Sequence, residues 1–484
     1  MAGYTEKVVI VGAGISGLAC AFRLKQFGLH PLVLEASERT GGVIQTIRRN
    51  GFVFETGPQF PRFPEPVWTL VRDLHLENEF LAGDPKTKRY ILRQDRLHSA
   101  PFSPGGLLST GLVSLQSKLQ ILTEVFRHSS PPPEEEGLAE FVERKFGTEI
   151  LDYLVDPIIS TVFFGDSRKM GMESAFPALV RWELESGSVV RGALRARKSK
   201  KNAANTRKNL RVTDALPSLG SFQSGMAALP ERLAEKLGDG IRYGQEISDI
   251  SRVNTENGGP HRGWAIHLRS GEQITTESLV LAVPAYAAAT VLEKSAPQLA
   301  PLLNAIGYAP GCVVSSAYDR AMVSCQLDGF GFMIPRKEGL HTICTFWNSS
   351  LFPSHSSEGK VLMTSFAGRE GDSALFSASE EECAQIIEAE NAKILGITGP
   401  PVDRVVWRSL RALPQYNVGH ARRVSEISDA SRMLPNLHLT GNFLNGRSIG
   451  DCVQIASRVA ENVRSRLHGE NIQMHVTSFT EEKD

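Results

Sequence analysis

Short apolar runs and helical periodicities alternate along this chain from its first residues. Residues 7–11 are β-branched and apolar after Lys7, as a strand buried on both faces should be, and residues 15–27 read as a helix stopped by Gly28. Residues 31–35 are a second short apolar strand, which predicts a strand, turn, helix, strand unit at the N-terminus. Between 135 and 164, apolar residues recur at helical spacing (Leu138, Phe141, Val142, Phe146, Ile150, Leu151), so the middle region is predicted to be mostly helical. Further on, 225–237 reads as helix, 241–252 and 263–268 as strands, and 278–284 as a buried strand ended by proline. From 305 to 410 strands alternate with one clear helix at 380–395, an α+β pattern. A strand at 435–439, a glycine-rich turn and a helix at 451–467 follow, and no internal repeat is visible.

Charge changes the picture in one place. From 191 to 211 nine lysines and arginines stand among Ala, Asn and Ser without one acidic residue. Such a stretch is too polar to bury and too repulsive to pack, so it reads as a mobile loop, with a basic docking surface as the alternative. Over the whole chain 53 Lys and Arg balance 53 Asp and Glu, which leaves no global field to draw nucleic acid or acidic lipid. A length of 484 residues implies two or three domains. The six cysteines (Cys20, Cys312, Cys325, Cys344, Cys383, Cys452) are scattered without a C-x-x-C pair, which argues against a zinc site or a disulfide framework and for a reducing cytoplasm. No run reaches the length of a membrane-spanning helix, and the apolar start, with its spaced glycines, fits a turn better than a secretory signal.

Those glycines carry the first chemical signal. Gly12-Ala13-Gly14-Ile15-Ser16-Gly17 follows a predicted strand and opens a predicted helix. Gly12 allows the tight turn, Gly14 lets the backbone approach a pyrophosphate, and Gly17 lets helix and strand pack closely, with the anion on the helix N-terminus. Glu35 comes eighteen residues after Gly17, at the end of the next strand, where a carboxylate can bind ribose hydroxyls. The continuation Glu35-Ala36-Ser-Glu-Arg39-Thr-Gly41-Gly42 favours FAD over NAD, because the arginine can reach the pyrophosphate and the paired glycines admit it closely.

This pattern resembles the amine oxidase and protoporphyrinogen oxidase superfamily of flavoproteins, whose FAD site is completed by a late segment, here 437–451 with Gly441, Asn442, Gly446 and Gly450. Asn442 stands where many amine oxidases have glutamate, as in the porphyrinogen-oxidising branch. Phe54-Glu-Thr-Gly-Pro58, Tyr153-Leu-Val-Asp-Pro157, Phe163-Phe-Gly-Asp166, Gly220-Ser-Phe-Gln-Ser-Gly-Met226, Gly329-Phe-Gly-Phe-Met-Ile-Pro335, Ser349-Ser-Leu-Phe-Pro353 and Pro414-Gln-Tyr416 are similar to that branch, over residues 7–467. The resemblance implies an α/β and α+β fold. A discontinuous Rossmann-like FAD-binding domain (1–84, 213–290, 406–467) would join a mixed-sheet substrate domain (85–101, 291–405), a helical membrane-associating domain (102–212) and a flexible tail (468–484). In that last domain 107–126 is expected to be an amphipathic helix.

By the same resemblance, noncovalent FAD would be held by the two N-terminal glycine turns and by Gly57, Pro58, Gln59, Phe60, Ile247, Trp407, Gly441, Asn442, Arg447, Ser448 and Ile449. Arg89 would pair with a substrate propionate, and Phe163, Phe164, Gly165, Met333, Ile343 and Met363 would line the cavity. The implied reaction is oxidation of a porphyrinogen in three two-electron rounds, with dioxygen as acceptor, hydrogen peroxide as by-product, no metal and no side chain as catalytic base. Peripheral contact with the inner face of the membrane, hand-over to the next haem-pathway enzyme and a homodimer are compatible with it; nucleic acid is not. Protoporphyrinogen IX is the first choice of substrate. Coproporphyrinogen III, with four propionates, would need further cations from among Arg62, Lys88, Arg93 and Arg447. An amine oxidase or desaturase on the same fold, and a flavin-binding porphyrin carrier without turnover, stay open.

Overall fold

The computed structural model describes residues 5–84, 86–101, 104–126, 135–208, 219–253 and 263–469. Three separated stretches of chain build the first sheet. Glu6–Val11 lies inside it, parallel to Leu32–Leu34 on one side and to Gln273–Leu281 on the other, and Ile241–Arg242 extends the sheet beyond Leu32–Leu34. The first half of Gln273–Leu281 carries the antiparallel strands Gly263–Leu268 and then Ile247–Val253, while its last residues pair in parallel with Leu437–Leu439. Val8 and Ile10 face a core shared with Leu18 and Leu24 of helix Ile15–Gln26 and with Val453 and Ala456 of helix Ile449–Leu467. Val9 and Val11 face a second core with Ile266 and Leu292. Cover on both faces is why this strand is apolar without alternation.

The second sheet has seven strands in the order Asp403–Pro414, Tyr308–Asp319, Lys360–Ala367, Thr342–Phe346, Gly329–Met333, Lys88–Arg93 and Arg96–Ser99. Only the pair Gly329–Met333 with Lys88–Arg93 is parallel. Helix Glu380–Leu395 covers one face. Its ends are set locally, by a reciprocal cap between Ser379 and Glu382 at the start and by left-handed Gly396 at the finish. On the opposite face Phe52 and Phe54 pack against Ala317, Leu362 and Val405. The third part is a helical layer cored by Leu138, Phe141, Ile159 and Met172, into which Ile91 and Met333 of the second sheet project. Deep in that layer Lys145 meets Glu183 at 2.6 Å and Glu124 at 3.5 Å. The architecture is α/β and α+β, with a discontinuous Rossmann-like unit beside a mixed sheet.

Three expectations need correction. Residues 189–208 form the helix Val189–Lys208 rather than a mobile loop; residues 209–211 lie outside the described residues. The start of this helix also packs, with Gly192 against Trp182, and Ala, Arg and Lys are strong helix formers. The buried Glu124 carboxylate also accepts from the Val189 and Val190 N–H groups and the Ser188 hydroxyl, which anchors the helix start. The stretch 107–126 is two helices, Pro104–Ser109 and Leu115–Glu124, with Ser114 capping the second. The stretch 241–252 is broken after Arg242, and its two pieces lie at opposite ends of the strand order in the first sheet.

Candidate functional site

The turn after the first strand is built for a group that approaches its backbone. Gly12 has φ +101°, and a side chain there would lie 2.7 Å from the Ala282 carbonyl oxygen; one at Gly17 would lie 1.9 Å from the Gly12 carbonyl oxygen. The protein's own packing therefore requires those two glycines. A Cβ at Gly14, by contrast, meets nothing within 4 Å. Gly14 is also the N-cap of helix Ile15–Gln26, which has no side-chain cap and no acid in its first turn. Its first N–H groups form an anion-binding end. The second glycine turn closes against the first, with the Gly41 N–H donating to the Ala13 carbonyl at 2.8 Å. Glu35 follows strand Leu32–Leu34, and its carboxylate accepts from Ala13 N–H at 2.7 Å, Ser37 N–H at 2.9 Å and the Ser37 hydroxyl at 2.8 Å. Ala36 and Arg39 are exposed beside it; the Arg39 guanidinium bonds the Thr40 and Gly42 carbonyls at 3.2 and 2.8 Å, on its own turn.

The late turn is held by a tyrosine. The Tyr416 hydroxyl donates to the Asn442 carbonyl at 2.6 Å and accepts from the Gly446 N–H at 3.1 Å, and its ring stacks on His420 with centroids 4.2 Å apart. Burial pushes the phenol well above its ordinary pKa. Gly441 lies on the strand side of this turn, Ser448 caps helix Ile449–Leu467, and Ile449 enters the core. Ile15 of helix Ile15–Gln26 and Ile449 and Cys452 of this helix share the first core, so the two helix N-termini converge. Of the remaining predicted contacts, Gln59 is buried and bonds the Glu55 and Gly57 carbonyls and Asn348, a link to the second sheet. Gly57 packs under the Val43 carbonyl, with Pro58 next to it. Ile247 opens its strand just after Gln245, whose N–H bonds the Glu35 carbonyl at 2.8 Å, and Trp407 sits opposite Val313.

On the second sheet lies a wall of rings. Phe60 lies edge-on to Phe330 (5.0 Å) and Phe346 (4.8 Å), Phe346 to Phe366 (5.2 Å), and Phe366 tilts against Phe164 (5.2 Å). Ile343 is buried with Phe164, and Met333 packs against them. Phe164 ends helix Asp156–Phe163 in the left-handed region at φ +55°, and Gly165 is tight against Gln415, which in turn donates to the Phe163 carbonyl at 2.8 Å. Met363 falls elsewhere. It pairs with Ser316, whose hydroxyl reaches Glu388 on helix Glu380–Leu395, and it is buried with Phe332 and Trp347 on that helix's face of the sheet. Thr364 and Phe366, one residue later in the alternation, face the wall instead.

At the Phe330 end the Arg89 guanidinium lies 4.2 Å from the ring centroid; burial lowers its pKa, and the nearby charge of Arg62 lowers it further. Lys88 is paired with Asp328 at 2.7 Å and Arg93 with Glu149 at 3.0 Å. At the other end the Arg447 guanidinium lies 4.1 Å from the Phe163 centroid and donates to the Val162 carbonyl at 3.0 Å.

Residues 15–464 match the family of flavin containing amine oxidoreductases. The chain belongs to that family. Among curated relatives it is 31% identical over 473 residues to the chloroplastic protoporphyrinogen oxidase of Nicotiana tabacum, covering 95% of this chain and 85% of that one. It is 28% identical over 470 residues to coproporphyrinogen III oxidase of Bacillus subtilis, covering 93% and 96%. A crystal structure from Exiguobacterium sp. 255-15 superposes with a TM-score of 0.81 at 23% identity over 96% of this chain and 99% of that one. Putrescine oxidase shares the fold at a TM-score of 0.67 and 16% identity, covering 95% and 99%.

The cofactor of this flavin containing amine oxidoreductase is FAD. The residues present fit it: an uncapped, acid-free helix start, and at Gly14 a glycine that the protein's own packing does not demand. Sequence reasoning missed Phe330, Phe346 and Phe366 as wall residues and Tyr416 as the clamp of the late turn. Alternation along 342–346 and 360–367 would have put Phe346 and Phe366 on one face, had the pairing of those strands been known.

Proposed function

We propose that this chain oxidises protoporphyrinogen IX to the porphyrin with FAD and dioxygen. The observation that carries the reading is the ring wall from Phe60 to Phe164 with the Arg89 guanidinium over Phe330 at one end, where the charge of Arg62 is also felt. A flat apolar macrocycle suits the wall, and two neighbouring guanidinium groups suit two propionates. The names of the relatives above point to the same substrate class. Ion-paired Lys88 and Arg93 are poor rim cations, which favours two carboxylates over four.

FAD, when bound, would supply the redox chemistry: a two-electron oxidation in each of three rounds, with dioxygen as acceptor and hydrogen peroxide as by-product. The protein's part is positioning and exclusion of water. The turns at 12–17 and 41–42 hold the pyrophosphate, Glu35 a ribose, and 441–449 the flavin. Phe164, Phe346, Ile343 and Met333 hold the macrocycle, and its propionates meet Arg89 and Arg62. The three structural parts then serve as FAD, substrate and membrane-facing domains. For the last, Leu115, Leu119, Leu122 and Phe126 are 73, 53, 50 and 86% exposed on one helical stripe, beside the basic helix Val189–Lys208. No helix among the described residues is long and apolar enough to cross a membrane, so contact there is peripheral.

The test is porphyrin fluorescence in air from FAD-loaded protein given protoporphyrinogen IX or coproporphyrinogen III, each against its spontaneous oxidation. The expected result is faster signal from protoporphyrinogen IX, with three peroxides per porphyrin. Acceleration of neither substrate by flavin-loaded protein overturns the proposal.

A further inference from the structure

Arg447 is a part-buried cation without a matching acid. Its guanidinium carries five donors, and among the described residues the one hydrogen bond found for them goes to the Val162 carbonyl at 3.0 Å. Among the described residues no carboxylate lies within 4.0 Å of it. Asp451 is near enough to be felt, but its carboxylate is committed to the Ser448 N–H at 3.1 Å and the Ser448 hydroxyl at 2.7 Å. Burial draws the guanidinium down to about 10, which still leaves it charged at neutral pH. Elsewhere in the chain the buried Lys145 is met by Glu183 at 2.6 Å, whereas Arg369, also buried, donates to the Leu340 and Ile334 carbonyls. Leaving a buried charge unmatched is costly unless an anion arrives to meet it.

The position of Arg447 is also fixed. Tyr416 clamps the turn at Asn442 and Gly446, immediately before it, and Phe163 lies under the guanidinium plane. Ser448, immediately after it, caps helix Ile449–Leu467, so the unit charge adds to the partial positive charge of that helix start, which Asp451 offsets in part. An anion that comes and goes at this place is supplied by the cofactor itself. A hydride donor delivers two electrons and one proton to the oxidised isoalloxazine, which leaves the ring with one negative charge.

We propose that Arg447 holds this negative charge of the reduced isoalloxazine and thereby raises the reduction potential of the bound FAD. No bond to Arg447 forms or breaks, and it keeps its proton throughout. The proposal rests on the placement of the 441–449 turn at the flavin and not on the identity of the substrate.

The experiment uses FAD-loaded wild type, Arg447→Met and Arg447→Lys. Sulfite is the probe, because it adds to flavin N5 and leaves the ring anionic as reduction does. Its binding is followed by bleaching of the oxidised flavin absorbance, and the two-electron potential is measured against a reference dye. Arg447→Met is expected to weaken sulfite binding by roughly tenfold or more, since a unit charge in a partly desolvated place acts strongly on a neighbouring one. A tenfold change corresponds to a fall of about 30 mV for a two-electron couple. Arg447→Lys recovers a substantial part of both. If Arg447→Met does not retain FAD, Arg447→Gln against Arg447→Lys gives the same contrast. Unchanged sulfite binding and potential overturn the proposal. A raised KM for porphyrinogen with both flavin readouts unchanged also overturns it, and assigns Arg447 to a substrate carboxylate instead. Neither flavin readout uses a porphyrinogen, so failure here leaves the proposed substrate standing, and failure of that substrate leaves this result interpretable.

Discussion

Two glycines of the first turn, Gly14 and Gly17, are predicted to fail in different ways when each becomes alanine. In Gly17→Ala the new methyl is placed 1.9 Å from the Gly12 carbonyl oxygen, a backbone atom that cannot swing aside. Strain of that kind costs about 1–3 kcal/mol or more and acts on the apoprotein. In Gly14→Ala the methyl meets nothing within 4 Å, and the backbone at φ −71°, ψ 175° is ordinary for alanine. Loss of a good N-cap residue costs roughly 0.5–1 kcal/mol, and the smaller entropy of the unfolded chain returns roughly the same, so apoprotein stability should stay within about 0.5 kcal/mol of wild type. The cost appears when FAD binds, because the methyl stands where the pyrophosphate approaches; overpacking of about 1–3 kcal/mol means about a fivefold to 150-fold loss of affinity. The assay is thermal unfolding of each variant with and without FAD, together with release of flavin fluorescence on dilution. Wild type should show a large FAD-dependent rise in Tm, Gly14→Ala the wild-type apo Tm with a reduced rise, and Gly17→Ala a lowered apo Tm. Wild-type FAD affinity in Gly14→Ala, or an apo Tm as low as that of Gly17→Ala, would refute the distinction between a glycine kept for the fold and one kept for the ligand.

Three further outcomes are expected. Arg62→Ala and Arg89→Ala should each raise KM for the porphyrinogen by about tenfold while changing kcat less, because a propionate contact is mostly uniform binding; steady-state kinetics on both variants check this. Replacing Leu119 and Leu122 together by Asp should lower binding to vesicles containing phosphatidylglycerol by at least about tenfold, judged from roughly 1.5 kcal/mol or more per buried leucine, and equal co-sedimentation of variant and wild type would rule out that face as the contact. Glu55 is buried beneath Thr46 and Met226, and desolvation outweighs their hydrogen bonds, so its carboxyl is pushed up to about 8. A carboxyl whose pKa is raised in the folded state keeps its proton after the unfolded chain has lost it. Its contribution to stability is therefore greatest below about 4.5 and falls as pH rises toward about 8. Denaturant midpoints measured from pH 5 to 8 should fall less steeply in Glu55→Gln than in wild type.

What the sequence made visible divides by range. The turn at 12–17 and the helix Glu380–Leu395 were marked by neighbours within a few residues: glycines at a turn in one case, Ser379, Glu382 and Gly396 in the other. Alternation in the second sheet was a different matter. The face that Met363 presents depends on its register with Ser316, forty-seven positions earlier in the chain, and a register shift between Thr342 and Cys344 interrupts the neighbouring strand. Phe346 and Phe366 were hidden for the same reason. The basic stretch after Arg191 was misjudged because composition reports whether a segment can be buried, while helix formation there follows from local propensity and from the distant carboxylate of Glu124. Arg447 looked like one arginine among four candidates until the partners of Lys88 and Arg93 could be seen.

The dispersal of the first sheet along the chain also sets a timetable for synthesis. Glu6–Val11 and Leu32–Leu34 leave the ribosome about four hundred residues before the parallel partner Leu437–Leu439 and the helix Ile449–Leu467 that covers Ile15–Gln26. At about 5–20 residues per second, that interval is about 20–80 s. Throughout it the apolar N-terminal strand and helix lack half of their cover, and a nascent chain in this condition is a natural client for chaperones. FAD loading is expected to wait for these late elements, and a chain cut short before Leu437 should emerge colourless.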